Sequence, residues 1–146
     1  MKMISTRILF QRPLSIFSGK GMMLVKPDVV GEYREGVYSL EFRKRVEKQR
    51  VFIKDGSITL HLSALHASSL LLQGMSPEFS AELKSEKGLF QLQVNRLDDK
   101  INLAVKGVDT EELVIEASQA EWKLLLVLIE ASIPSIYGWG SFVSRY

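Results

Sequence analysis

The sequence predicts a single α+β domain made of two sheets, each accompanied by a helix. Three observations carry this expectation. Period-2 alternation of apolar and polar residues dominates after residue 13. A helix-capping serine follows the fourth strand-length segment in each half, and the two halves repeat one order of elements. At 146 residues the chain is close to the commonest domain size, and 46% hydrophobic with 25% charged residues can bury a sizeable core.

In the first half, "LSIFSGKGMMLVKP" reads as a short strand, a turn at Gly19–Gly21, and a second strand that Pro27 ends. "GVYSLEFRKR" alternates, with Tyr38, Leu40 and Phe42 on one side and Ser39, Glu41, Arg43 and Arg45 on the other. "RVFIKDGSITLHLS" gives one long strand, or two pieces broken near Asp55-Gly56, with Ile58, Leu60 and Leu62 facing inward. Ser63 caps the helix "ALHASSLLLQG", which Gly74 stops.

The second half repeats the order. "EFSAELKSE", "LFQLQVNRL", "KINLAVKG" and "EELVIEA" are strand-length segments with turn signals between them. Ser118-x-x-Glu121 is a capping box ahead of "WKLLLVLIEAS", and Pro134 is expected to end that helix. No linker or composition break divides the halves, so the expected division is a basic arm (1–13), one domain (14–142) and a short C-terminal tail (143–146).

Composition excludes several chemistries. Without cysteine there are no disulfides, thiolate zinc sites, iron–sulfur ligands or Cys nucleophiles. The two histidines, His61 and His66, straddle a strand and a helix start, which is poor spacing for a metal site. Phosphate-loop, nucleophile-elbow and zincin motifs are missing, and the acid pairs Asp98-Asp99 and Glu111-Glu112 fall in turns. The sequence therefore points away from an enzyme, and no cofactor, metal or small-molecule substrate is expected. No apolar run approaches the ~18 residues of a membrane span.

Charge is unevenly spread. Residues 1–54 hold twelve Lys or Arg against five acids, and residues 55–146 hold seven against twelve. Such asymmetry suits a polyanionic partner or a solvated basic face. The start, with Lys2, Arg7 and Arg12 and no acid before Asp28, fits either a targeting peptide or a plain basic arm. Around one predicted hairpin, Arg43, Lys44, Arg45, Lys48, Arg50 and Lys54 cluster with Phe42 and Phe52 interleaved. Phe42 alternates with Tyr38 and Leu40 as a core residue would, and Phe52, whose neighbours Val51 and Ile53 take the opposite face, is the better stacking candidate. Cations that follow a phosphate backbone, plus an aromatic for stacking, are the working parts of single-strand-binding surfaces. In "LFQLQVN", Gln91, Gln93 and Asn95 share one face, either offering hydrogen bonds to base edges or simply solvated.

The second helix carries another message. Trp122, Leu125, Leu126 and Ile129 belong to a run with almost no polar stripe, as expected of a helix covered on most sides, in part by another subunit. The following "IPSIYGWGSF", with Pro134, Tyr137 and Trp139, extends the apolar surface and reads as packing rather than as a frayed end.

At these residues the chain resembles the Whirly proteins of plant organelles and, more distantly, trypanosomatid mitochondrial guide-RNA-binding proteins and positive cofactor four. "SIFSGKGMMLVKP" is similar to the family's opening S-V-Y-K-G-K-A-A-L-S-V-x-P, with Gly19 and Lys20 carried over and Ser18 in place of the first lysine. "LSALHASSLL" resembles L-S-P-x-E-x-x-S-L, with His66 where the family has an acid, and "QRVFIKDG" offers Phe52 and Lys54 in place of an aromatic-rich Y-x-W-E-K-R. "IEASQAEWKLLLVLIEASIPSIYGW" is similar to the family's strand, helix and P-x-x-x-G-W ending.

The resemblance implies two antiparallel four-stranded sheets packed crosswise, with helices holding a homotetramer together. It implies single-stranded DNA or RNA as partner, bound largely without sequence preference, in an organelle. Lys20, Arg43, Arg45, Lys48, Arg50 and Lys54 are then expected on phosphates, Phe52 on bases, and Gln91, Gln93 and Asn95 as hydrogen-bonding groups. Trp122, Leu125, Leu126, Ile129, Pro134, Tyr137 and Trp139 are expected in the core or subunit interface. The expected roles are protection, repair, transcription or RNA annealing. The other reading is a structural subunit of an organellar ribonucleoprotein that keeps the fold for protein contacts.

Overall fold

A computed structural model describes residues 12–32, 34–45 and 52–138, with only the backbone described for 52–55. The elements in order are β1 (Leu14–Phe17), β2 (Gly21–Val30), β3 (Glu35–Arg45), β4 (Phe52–Ser63), α1 (Ala64–Gln73), β5 (Glu78–Ser85), β6 (Gly88–Leu97), β7 (Lys100–Gly107), β8 (Leu113–Ser118) and α2 (Gln119–Ile136). Strands β1 to β4 form one antiparallel sheet in chain order, and β5 to β8 form a second.

The alternation read in the sequence decides which face is buried. Leu14, Val25, Leu40 and Leu60 stand opposite one another across sheet one, as do Ile16, Met23, Phe42 and Ile58. In sheet two, Phe79, Val94, Leu103 and Ile115 make a comparable row. The inward rows of both sheets, with Trp122, Leu125, Leu126 and Ile129 of α2 and Ala67 and Leu70 of α1, form one hydrophobic cluster. Phe42 is core, buried with its row-mates.

Capping fixes where both helices start. Ser63 Oγ accepts the His66 N–H at 3.1 Å, and Ser118 Oγ accepts the Glu121 N–H at 3.1 Å. The Glu121 carboxylate in turn accepts the Ser118 N–H at 2.9 Å, completing the capping box. Gly74, at φ +61, ends α1 with its N–H on the Leu70 carbonyl at 3.1 Å.

Two glycines are set by close approach. A Cβ on Gly36 in β3 would stand 2.1 Å from the Ile136 carbonyl oxygen, so only glycine lets the end of α2 rest on this strand. A Cβ on Gly21 would stand 2.4 Å from the Arg43 carbonyl oxygen and press on Leu113 and Ile115 of sheet two.

The structure corrects two boundaries. Pro27 does not end the second strand, because β2 runs on to Val30 with Pro27 opposite Tyr38. Among the described residues β1 pairs with β2 only as far as Val25, so beyond it β2 is an edge there, where a proline's missing N–H costs no ladder bond on the open side. Pro134 does not end the second helix, because α2 continues to Ile136. The proline falls in the last turn, and the ladder resumes at once with the Tyr137 N–H on the Ile133 carbonyl at 2.9 Å. The segment around Asp55-Gly56 is one strand, with a register irregularity against β3 between Phe42 and Lys44.

Candidate nucleic-acid interface

The turn between β1 and β2 gathers the basic groups at one end of sheet one. Its Lys20 is exposed, and the Lys20 carbonyl accepts the Arg45 N–H at 3.0 Å, pinning the turn to the end of β3. The Ser18 N–H reaches the Gly21 carbonyl at 2.8 Å, while Ser18 Oγ accepts the Glu116 N–H of β8 at 3.2 Å. That second bond seats this end of sheet one on the edge strand of sheet two.

At the same end, Phe17, Met22 and Arg43 form one row across β1, β2 and β3, with Met22 buried between the other two. Adjacent strands lie about 4.8 Å apart, so Phe17 and Arg43 are roughly 10 Å apart along the row. Phe17 is 57% exposed, while its neighbour Ile16 is fully buried. Arg43 Nε bonds Glu41 Oε2 at 2.6 Å, which leaves the other guanidinium nitrogens for an anion but makes that anion compete with Glu41. Lys44 reaches Glu111 at 3.8 Å with both side chains well exposed, a weak pair in water.

Farther along sheet one, the outer face holds a polar groove of about 470 Å³ lined by Lys26, Ser39, Glu41, Thr59, His61 and Lys87. Sheet two presents its own groove, about 360 Å³, over Glu82, Leu89, Gln91, Gln93, Lys106 and Val108. There Gln91 lies between Glu82 and Lys106 in the ladder, and its amide nitrogen donates to Ser80 Oγ. Among the described residues no group of three or more His, Asp or Glu side chains gathers as a metal site.

The whole arrangement superposes on solved structures. WHY3 from Arabidopsis thaliana matches with a TM-score of 0.76 at 22% identity, covering 92% of this chain and 94% of that one. The plant transcriptional regulator PBF-2 matches at 0.74 and 22%, covering 91% and 86%. WHY1 from Arabidopsis thaliana matches at 0.71 and 22%, covering 90% and 88%. The chain has the Whirly fold. No family model and no curated protein matches the sequence.

Within this Whirly fold the expected site residues divide into groups. Lys20, Arg43 and Arg45 come together at the end of sheet one. Phe52 pairs with Arg45 in the ladder and Lys54 lies beside it in β4, both described by backbone alone. Lys48, Arg50 and Trp139 lie outside the described residues. Gln91, Gln93 and Asn95 are all exposed, on the outer face of the other sheet and away from the basic cluster.

The helix residues also sort themselves. Trp122, Leu125, Leu126 and Ile129 are buried in the protomer's own core, whereas Pro134 and Tyr137 are exposed. The outward apolar residues of α2 are Leu124, Val127 and Leu128, each more than a third exposed, which the sequence reading included in the apolar run but not among its interface candidates. Phe17 was not singled out. Its signal was present, since alternation in "LSIF" turns Phe17 out once Ile16 is turned in.

Proposed function

We propose that this chain is a non-enzymatic protein that binds single-stranded DNA or RNA, largely without sequence preference, as a homotetramer. The observation that carries the reading is the row of exposed Phe17 and cationic Arg43 beside the Lys20 turn. Lys20, Arg43 and Arg45 contact phosphates, and Phe17 stacks on a base. Gln91, Gln93 and Asn95 hydrogen-bond bases that reach sheet two. Leu124 and Val127 on α2 supply the apolar face through which copies meet. Transcription, repair of exposed strands or RNA annealing in an organelle are the roles in keeping with this surface, and the naming of PBF-2 as a transcriptional regulator supports the first.

A second reading is favoured by the acids Glu78, Glu82 and Glu116 on the outer face of sheet two, which would repel phosphates. In it the fold serves protein contacts inside a larger ribonucleoprotein assembly. Binding of a fluorescent oligo-dT of about 30 nucleotides, longer than the roughly 4–16-nucleotide sites of single-strand-binding folds, separates the two. Matching RNA and duplex are run beside it, with mass by light scattering. The first reading expects a species of four chains that binds single strands more tightly than duplex. A well-folded oligomer that binds none of them leaves the second.

A further inference from the structure

Among the described residues three hydrogen bonds hold the turn that carries Lys20, and one of them comes from the other sheet. Phe17 and Met22 are the last residues paired across β1 and β2. The Ser18 N–H then closes the hairpin on the Gly21 carbonyl at 2.8 Å, with Gly19 and Lys20 at the tip. Tips of this length ordinarily take turn types that need a positive φ, because those match the twist of the flanking strands. Neither Gly19 nor Lys20 has one. The backbone of the tip therefore does little to fix its own direction, and bonds from outside the hairpin matter more.

The two outside bonds differ in kind. The Arg45 N–H on the Lys20 carbonyl at 3.0 Å runs from main chain to main chain and prolongs the ladder of β2 and β3. The other crosses between the sheets, where Ser18 Oγ accepts the Glu116 N–H of β8 at 3.2 Å from 98 residues away in sequence. Beside it Gly21 lies against the same strand, and a Cβ there would stand 3.2 Å from the Ile115 side chain and 3.3 Å from that of Leu113. Of the three bonds, only the one from Ser18 Oγ depends on a side chain.

We propose that Ser18 is a positioning residue for single-strand binding. Its hydroxyl, anchored on β8, fixes the turn so that Lys20 meets the phosphate backbone. Ser18 acts through Lys20 and not by touching the strand. Sheet two thereby sets the direction of a cation that belongs to sheet one. The inference rests on the single-strand reading above.

The test is a salt series of binding to an oligo-dT of about 30 nucleotides. The proteins are wild type, Ser18→Ala, Ser18→Thr, Lys20→Ala and the double variant Ser18→Ala/Lys20→Ala. Loss of one hydrogen bond should weaken binding by Ser18→Ala roughly 3- to 10-fold. The salt slope should also become shallower, because a misdirected lysine releases fewer counterions. A hydroxyl that touched a phosphate, or merely steadied the fold, would leave that slope unchanged. Ser18→Thr keeps the oxygen and should restore both affinity and slope. With Lys20 already removed, Ser18→Ala should add less than about twofold, since the two residues act as one unit.

Wild-type affinity in Ser18→Ala, a loss of affinity at unchanged slope, or an equal loss with and without Lys20 overturns the positioning role while single-strand binding stands. A wild-type protein that binds no oligo-dT removes the single-strand reading and this inference with it.

Discussion

The indole N–H of Trp122, in the first turn of α2, donates to the carbonyl of Gly74, the residue that ends α1, at 3.0 Å. One bond therefore joins the end of the first strand–helix repeat to the start of the second helix, and the ring is fully buried. Trp122→Phe would keep an aromatic but leave the Gly74 carbonyl without this donor and a gap where the far edge of the indole was. A loss of about 2 kcal/mol is expected, read from urea unfolding with an unchanged slope.

Gly36→Ala tests the seat of α2 on β3. The added methyl would meet the Ile136 carbonyl, a backbone atom that cannot swing aside. Destabilisation of about 2 kcal/mol or more is expected. Gly19→Ala, with nothing near its Cβ, is the control and should stay within about 0.5 kcal/mol of the parent.

Much of this framework was legible in the sequence because the deciding interactions are local. Ser63, Ser118 and Glu121 cap helices a few residues away, and alternation through Tyr38, Leu40 and Phe42 needs no knowledge of a partner strand. Pro27 and Pro134 were misplaced because a proline's effect depends on whether its side of the strand is paired, or how near the helix end it falls. The candidate site was only half legible for the same reason. Lys20 and Arg43 stand out as charges, but their convergence depends on the pairing of β2 with β3, and Phe17 gains meaning only beside them. The separation of Gln91, Gln93 and Asn95 onto the other sheet is likewise a fact of topology.

Tyr38 predicts an alkaline sensitivity. Its hydroxyl contacts Ser132 Oγ at 2.6 Å in the interior, and Ser132 also donates to the Leu128 carbonyl at 2.7 Å. Burial holds the Tyr38 phenol above its ordinary 10.0, an effect the Ser132 bond only partly offsets. The folded state therefore favours the neutral phenol. That contribution is fully present below pH 10.0 and is lost as pH rises through the raised value. Tyr38→Phe should lower stability by about 1 kcal/mol near neutral pH. Wild type should lose stability relative to Tyr38→Phe above pH 10, as read from thermal unfolding across that range.

Leu124→Glu with Val127→Glu tests how copies meet. Both side chains are nearly half exposed in the single chain, so the protomer should fold with a small change in stability. Charges on both sides of an apolar interface should split the proposed tetramer, and light scattering should report a smaller species.

The most direct test of the central claim is a salt titration of oligo-dT binding by wild type, Phe17→Ala and Lys20→Ala. Phe17→Ala should weaken binding by about 1–3 kcal/mol, roughly 5- to 150-fold, and leave the salt slope as it is, because stacking releases no counterions. Lys20→Ala should make that slope shallower by roughly 0.7. If both variants bind with wild-type affinity and slope while remaining folded, the end of sheet one is not where single strands bind.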